Sequence, residues 1–307
     1  MRIILLIFFL FLLVTPAFRA EVPLNLIAEP KEEVYKEADG VQLKLYIFTP
    51  AHHKAGSRTP AIVCIHGGGW AGGSPQLFFP HSRYFASRGM AAFSISYRLT
   101  SREGVTPGDC IEDCKSAVRY IRKNADRLGV DPKRIAILGD SAGGHLAACL
   151  GVMDGGEFEA PGEDRSTSAM GNALLLYNPV VDLNSDNLLR IVPEGRPLKG
   201  FPGLTREEIG RKVSPLFYIR PGQPPTLLMH GLDDTNVAPS QGQRFAEAMR
   251  KAGNRCELVM LPKTQHAFVI VNYTTPDEQV VNAIRMADQF LASLGYLKGK
   301  PTLVTPK

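Results

Sequence analysis

The chain has 307 residues, 44% hydrophobic and 21% charged, the proportions of an ordinary globular protein with ample material for a core. Its formal net charge is +5, and no dense Lys/Arg run occurs in it, so nucleic acid is not expected as a partner. Residues 1–20 contribute Arg2 and Arg19 and no acids, so their loss would lower that charge from +5 to +3.

Those twenty residues read as an export leader. Arg2 precedes an unbroken apolar run over residues 3–14, short for a bilayer span and right for a signal peptide. Cleavage after Ala17 or Ala20 would leave a secreted or periplasmic chain with no stable membrane span. An uncleaved anchor is the alternative. Residues 33–50 then read as two strands joined by Asp39-Gly40, a strong hairpin signal. A polar loop over 51–59 leads to a buried strand at 61–65.

A helix is expected over 76–88, capped by Gly89, and a strand over 90–99. Residues 109–128 carry Ile111, Cys114, Val118, Ile121, Ala125 and Leu128 at helical spacing. A strand at 134–138 runs into Gly139-Asp140-Ser141-Ala142-Gly143-Gly144, and a helix follows over 142–153. Two buried strands are expected at 173–177 and 226–229, a helix at 240–252, a strand at 256–261 and a last helix at 277–294. Short apolar strands alternating with amphipathic helices predict a parallel α/β sheet covered on both faces, in one domain over 21–307.

Two stretches stand outside this alternation. Residues 154–172, Gly-rich and acidic, read as a surface loop. Residues 183–224 hold Pro193, Pro197, Pro202, Pro215, Pro221 and Pro224, with a short helix over 205–212, and read as a lid or substrate loop. The five cysteines (64, 110, 114, 149 and 256) are an odd count and read mostly as core filling. Cys110 and Cys114 share a helix face, but no histidine stands at ligand spacing, so no metal is expected. Trp70 and Tyr97 follow strand ends and either pack or line a cleft. Asn272-Tyr273-Thr274 is a glycosylation sequon.

Ser141 sits where a strand turns sharply into a helix, in a G-x-S-x-G frame. A nucleophile there needs small neighbours on either side, and the helix N-terminus aims free N–H groups at it. His66-Gly67-Gly68-Gly69-Trp70 follows the 61–65 strand, where a glycine loop can point amides at the same spot. The amides of Gly68, Gly69 and Ala142 are the expected oxyanion hole. A serine hydroxyl also needs a base and an orienting acid, which follow it along the chain in hydrolases of this build. His145 lies one turn into the elbow helix and reads as structural, and His230 comes too early. His266, in the loop after the last strand, is the expected base. The loop HGLDDTNV offers Asp233 and Asp234, and the His-Gly-x-x-Asp-x-x-Val frame favours Asp234.

Together HGGGW, GDSAGG, HGLDDTNV and the QHAF histidine resemble the HGGG-bearing serine esterases of the α/β-hydrolase fold. The sequence looks closest to small secreted carbohydrate esterases, acetylxylan- or feruloyl-esterase-like, and to hormone-sensitive-lipase-like esterases. The likeness spans about residues 33–295. It implies an α/β-hydrolase sheet with an N-terminal antiparallel hairpin, Ser141, Asp234 and His266 as triad, and no cofactor. The short region before the HGGG strand implies that a large helical cap is missing, which disfavours bulky lipids. The expected substrate is a small ester or an acylated polysaccharide. The alternatives are a general short-chain carboxylesterase or lipase, a serine exopeptidase, and a catalytically silent binding protein.

Overall fold

The computed structural model describes residues 29–186, 188, 202–273 and 276–303. The leader expected at 1–20, the stretch 189–201 within the proline-rich segment, and Thr274 of the sequon lie outside the described residues. Among the described residues no helix is long and apolar enough to cross a membrane.

Eight strands form one sheet: β1 (Lys31–Ala38), β2 (Val41–Phe48), β3 (Thr59–Ile65), β4 (Ala91–Ile95), β5 (Val130–Asp140), β6 (Ala173–Tyr177), β7 (Thr226–Gly231) and β8 (Cys256–Leu261). Their order is β1-β2-β4-β3-β5-β6-β7-β8, antiparallel through β1, β2 and β4 and parallel from β4 to β8. This is the mostly parallel sheet with an antiparallel N-terminal hairpin that the sequence predicts. The hairpin turns at Asp39 (φ +49°) and Gly40 (φ +71°), as a tight two-residue connection requires.

Side chains alternate across β3. Ala61, Val63 and Ile65 pack into one core, Ile62 and Cys64 into the other, so the strand is apolar from Ala61 to its end. The first core is covered by α2 (Pro107–Lys123), α3 (Ala142–Val152) and α5 (Ser240–Lys251). The second is covered by α1 (Phe79–Ser87) and α6 (Asp277–Ser293). The five cysteines are free and buried within these layers.

Several local expectations shift. The helix expected over 76–88 is a 3₁₀ turn, Pro75–Phe78, followed by α1. Pro80 lacks an N–H and its ring would clash with the carbonyl four residues back, so one continuous helix cannot pass through it. Helix α2 starts earlier than expected, because Thr106 and Asp109 form a capping box and Pro107 sits in the first turn. Strand β4 stops at Ile95, after which Ser96 turns its hydroxyl to the Lys44 amide at 2.7 Å. The short helix of the proline-rich segment is α4 (Arg206–Lys212), with Thr205 as its cap. The acidic loop over 154–172 is not simply solvated. Glu159 is buried against Lys115 and Arg119 of α2. Tyr97 packs flat on the His66 ring, 4.5 Å between centroids, and is part of the core.

Candidate active site

Strand β5 delivers Ser141 at the sheet's carboxyl edge, on the turn into α3. Its backbone is left-handed, φ +56° and ψ −119°, a conformation L-residues hold only where the surroundings impose it. The Ser141 amide donates to Tyr177 O at 2.9 Å, and the Ser141 carbonyl accepts from His145 N at 2.9 Å. Gly139 and Gly143 are needed here. A Cβ on Gly139 would stand 2.1 Å from Gly143 O, and one on Gly143 would stand 2.1 Å from Ile65 O. The backbones of β3, β5 and α3 therefore pass closer than any side chain allows.

The glycine loop leaves β3 and crosses this turn. A Cβ on Gly67 would lie 3.1 Å from Ser141 Cβ, which fixes how near the loop runs. Gly68 and Gly69 have φ of +118° and +61°, and Gly68 O accepts from Ala71 N and Gly72 N at 3.2 and 2.9 Å. Such backbone reversals expose consecutive amides on one side. Gly68, Gly69 and Ser141 line one cavity of about 430 Å³. Ala142 heads α3, whose first amides have no helical carbonyl to meet.

His266 and Asp234 arrive from the loops after β8 and β7. His266 Nε2 stands 2.8 Å from Ser141 Oγ, and His266 Nδ1 stands 2.7 Å from Asp234 Oδ2. Asp234 Oδ1 accepts from the amides of Asn236 and Val237, each at 2.9 Å. Burial alone would raise the Asp234 pKa. Hydrogen bonds from His230 and His266, the His266 charge and the Val237 amide outweigh it and hold the carboxyl well below its ordinary range. For His266 burial pulls downward, but the Asp234 hydrogen bond and the charges of Asp140 and Asp234 prevail, and its pKa lies above the usual value. A carboxylate can only accept, so Nδ1 carries the ring proton and Nε2 is free to take one from the serine hydroxyl. Asp233, the other acid of this loop, is exposed.

The cavity wall beyond these groups is largely apolar: Trp70, Leu77, Val180, Leu188, Val237 and Ile270. Tyr273 stands at its rim, 69% exposed. Among the described residues no group of three or more His, Cys, Asp or Glu side chains could hold a metal ion.

Comparison with known proteins fits this arrangement. The family model BD-FAE matches residues 45–249, two thirds of the chain. The chain belongs to the BD-FAE family. Esterase LipQ of Mycobacterium tuberculosis (strain ATCC 25618 / H37Rv) is 32% identical over 268 residues, covering 82% of this chain and 60% of LipQ. An acetylxylan esterase of Xylanibacter ruminicola is 27% identical over 251 residues, 78% of this chain and 46% of that enzyme. The BD-FAE chain thus spans about half to three fifths of these curated relatives. The apo form of Thermogutta terrifontis esterase 2 superposes with a TM-score of 0.79 at 43% identity, covering 89% of this chain and 97% of that one. The same esterase phosphorylated by paraoxon gives a TM-score of 0.78, 41% identity and coverages of 89% and 96%. Its propionate-bound form gives 0.78 at 42% identity, with coverages of 89% and 97%.

Two further residues of this BD-FAE site escaped the sequence reading, and a third was read only as structural. Asp140 is buried beside Ser141, one oxygen 2.5 Å from Asn178 Nδ2, and lines the cavity. His230 is fully buried with Nε2 3.3 Å from Asp234 Oδ2. His145, read as structural, is buried between Trp70 and Val213. Asp140 sits within the G-x-S-x-G frame and His230 four residues before Asp234, so position along the chain was the available signal for both.

Proposed function

We propose that this protein is a serine carboxylesterase that cleaves short-chain acyl esters through an acyl-enzyme on Ser141. The observation that carries the reading is the chain of contacts Ser141 Oγ–His266–Asp234 at 2.8 and 2.7 Å beneath the glycine loop. His266 takes the Ser141 proton as Oγ attacks the ester carbonyl, and Asp234 orients and stabilises the imidazolium. The amides of Gly68, Gly69 and Ala142 hold the developing oxyanion, each such donor contributing about 10²- to 10³-fold in rate. His266 then protonates the departing alcohol, and water releases the acid by the reverse sequence. These steps need no cofactor.

The substrate is an acetylated or similarly acylated polysaccharide, met outside the cytoplasm after export of the chain by its leader. The acetylxylan esterase relative supports the polysaccharide reading, and the apolar cavity and the propionate-bound esterase support a short acyl group. LipQ and the Thermogutta esterase favour the second reading, a general short-chain carboxylesterase. The test uses a fluorophosphonate probe, p-nitrophenyl esters of increasing chain length, and acetylated xylan. Labelling at Ser141, fastest turnover of the shortest esters, release of acetate from the xylan, and loss of all three with Ser141→Ala are expected. Wild-type turnover by S141A would sink the Ser141 assignment. Turnover of p-nitrophenyl acetate without acetate release from xylan would leave the general carboxylesterase.

A further inference from the structure

Trp70 is the only tryptophan in the chain. It directly follows Gly69, and its φ of +60° is one a bulky residue keeps only under constraint. Its backbone carbonyl accepts from Thr100 N at 2.9 Å, and its side chain is 1% exposed. The indole Nε1–H donates to His145 Nδ1 at 3.1 Å, the rings meeting edge to face 5.1 Å apart. His145 Nε2 stands 2.7 Å from Val213 O. A carbonyl only accepts and an indole N–H only donates, so the ring is held as the neutral Nε2–H tautomer with both nitrogens used. Burial supports that state by pushing the His145 pKa down to about 4.

This one imidazole joins three pieces of the site. Its backbone amide bonds Ser141 O in the first turn of α3, and its Nδ1 holds the residue next to the glycine loop. Its Nε2 holds Val213, which closes α4 in the same segment that lends Leu188 to the cavity wall. We propose that His145 is a positioning residue that locks Trp70, and through it the Gly68 and Gly69 amides, in register with Ser141 and with Val213 at the end of α4. The inference rests on the reading of those amides as oxyanion donors. A loop freed at Trp70 would still admit substrate, but its amides would meet the oxyanion less squarely, so the loss belongs in kcat.

The experiment compares His145→Leu, His145→Gln and Trp70→Phe with wild type on p-nitrophenyl acetate. His145→Leu should lower kcat about 10- to 100-fold with KM within about twofold, as expected for sub-ångström misplacement of catalytic groups. Fluorophosphonate labelling should slow in parallel, and the single-tryptophan emission should shift. His145→Gln, which keeps a donor and an acceptor, should recover much of the rate. Trp70→Phe removes the indole N–H together with part of the ring and should show the same kcat-only loss, which decides the matter if H145L does not fold. Wild-type kcat in H145L or W70F, an unshifted H145L emission, or equal losses in H145L and H145Q would overturn the proposal. Activity retained by S141A would instead overturn the acyl-enzyme reading beneath it.

Discussion

His230 Nε2 stands 3.3 Å from Asp234 Oδ2, the same carboxylate oxygen that faces His266 Nδ1 at 2.7 Å. Nε2 of His230 also lies 3.0 Å from Val237 O, so it carries a proton and donates into the cleft between them. Replacing His230 by Leu would leave Asp234 and the Val237 carbonyl each short of a donor in a dry setting. A kcat loss of roughly tenfold and a stability loss of about 1–3 kcal/mol are expected. Steady-state kinetics and a urea melt check this, and wild-type kcat would deny His230 any hold on the carboxylate.

Asp140 should shape the pH profile. Burial lifts its pKa from 3.8 to about 7, opposed by the His266 charge and the Asn178 hydrogen bond and reinforced by Asp234. Once ionised, Asp140 favours the His266 imidazolium, which cannot act as a base. Asp140→Asn removes that charge, so the acid limb of kcat/KM should move to lower pH. An unmoved limb would count against it. The folded state also holds the Asp140 proton where the unfolded chain has released it, between pH 3.8 and about 7. The stability this confers is complete below pH 3.8 and fades as the pH rises through 7, a decline that D140N should lack.

Three buried histidines make the fold acid-sensitive. Burial pushes His66, His81 and His145 down from 6.5 to about 4, 3 and 4. The unfolded chain gains protons below pH 6.5 that the native state refuses until these lower values. Stability is therefore full above that pH and lost as the pH falls, by about 1.4 kcal/mol per pKa unit. His81 packs edge-on to Phe78, 4.9 Å between centroids, and neither ring nitrogen has a hydrogen-bond partner among the described residues. His81→Leu should raise Tm by a few degrees and flatten its fall between pH 7 and 5. A pH dependence equal to wild type's would argue that His81 is not held neutral.

The glycines differ in what they tolerate. Gly143→Ala would drive Cβ to 2.6 Å from His66 O as well as against Ile65 O, both rigid backbone. A cost above about 4 kcal/mol, or failure to fold, is expected. Gly89→Ala meets nothing within 4 Å and bears only its φ of +97°. Its cost should be near 1 kcal/mol. Comparable denaturant midpoints for the two variants would refute the close approach at the elbow.

The strands from β3 to β7 were legible because their inner stretches are buried on both faces and read as apolar runs, and edge strand β8, only half-buried, through its apolar Leu258 to Leu261. Ser141 and His266 were legible because the turn after β5 and the loop after β8 are marked by glycines and by chain order. His230 was not, since its contact with Asp234 depends on β7 continuing through Gly231 and on a loop folding back over it. Glu159 looked solvated for a similar reason: its partners Lys115 and Arg119 lie forty and more residues upstream. The break before α1 was readable in Pro80, which the helix expected over 76–88 would have had to pass through.

The left-handed backbone at Ser141 sets endurance against chemistry at a single position. Glycine would sit there without strain, and S141G should be more stable than the wild type by about 1 kcal/mol. A lineage selected for heat resistance alone would drift toward that silent form. The hydroxyl persists in this chain although the fold itself would prefer its absence.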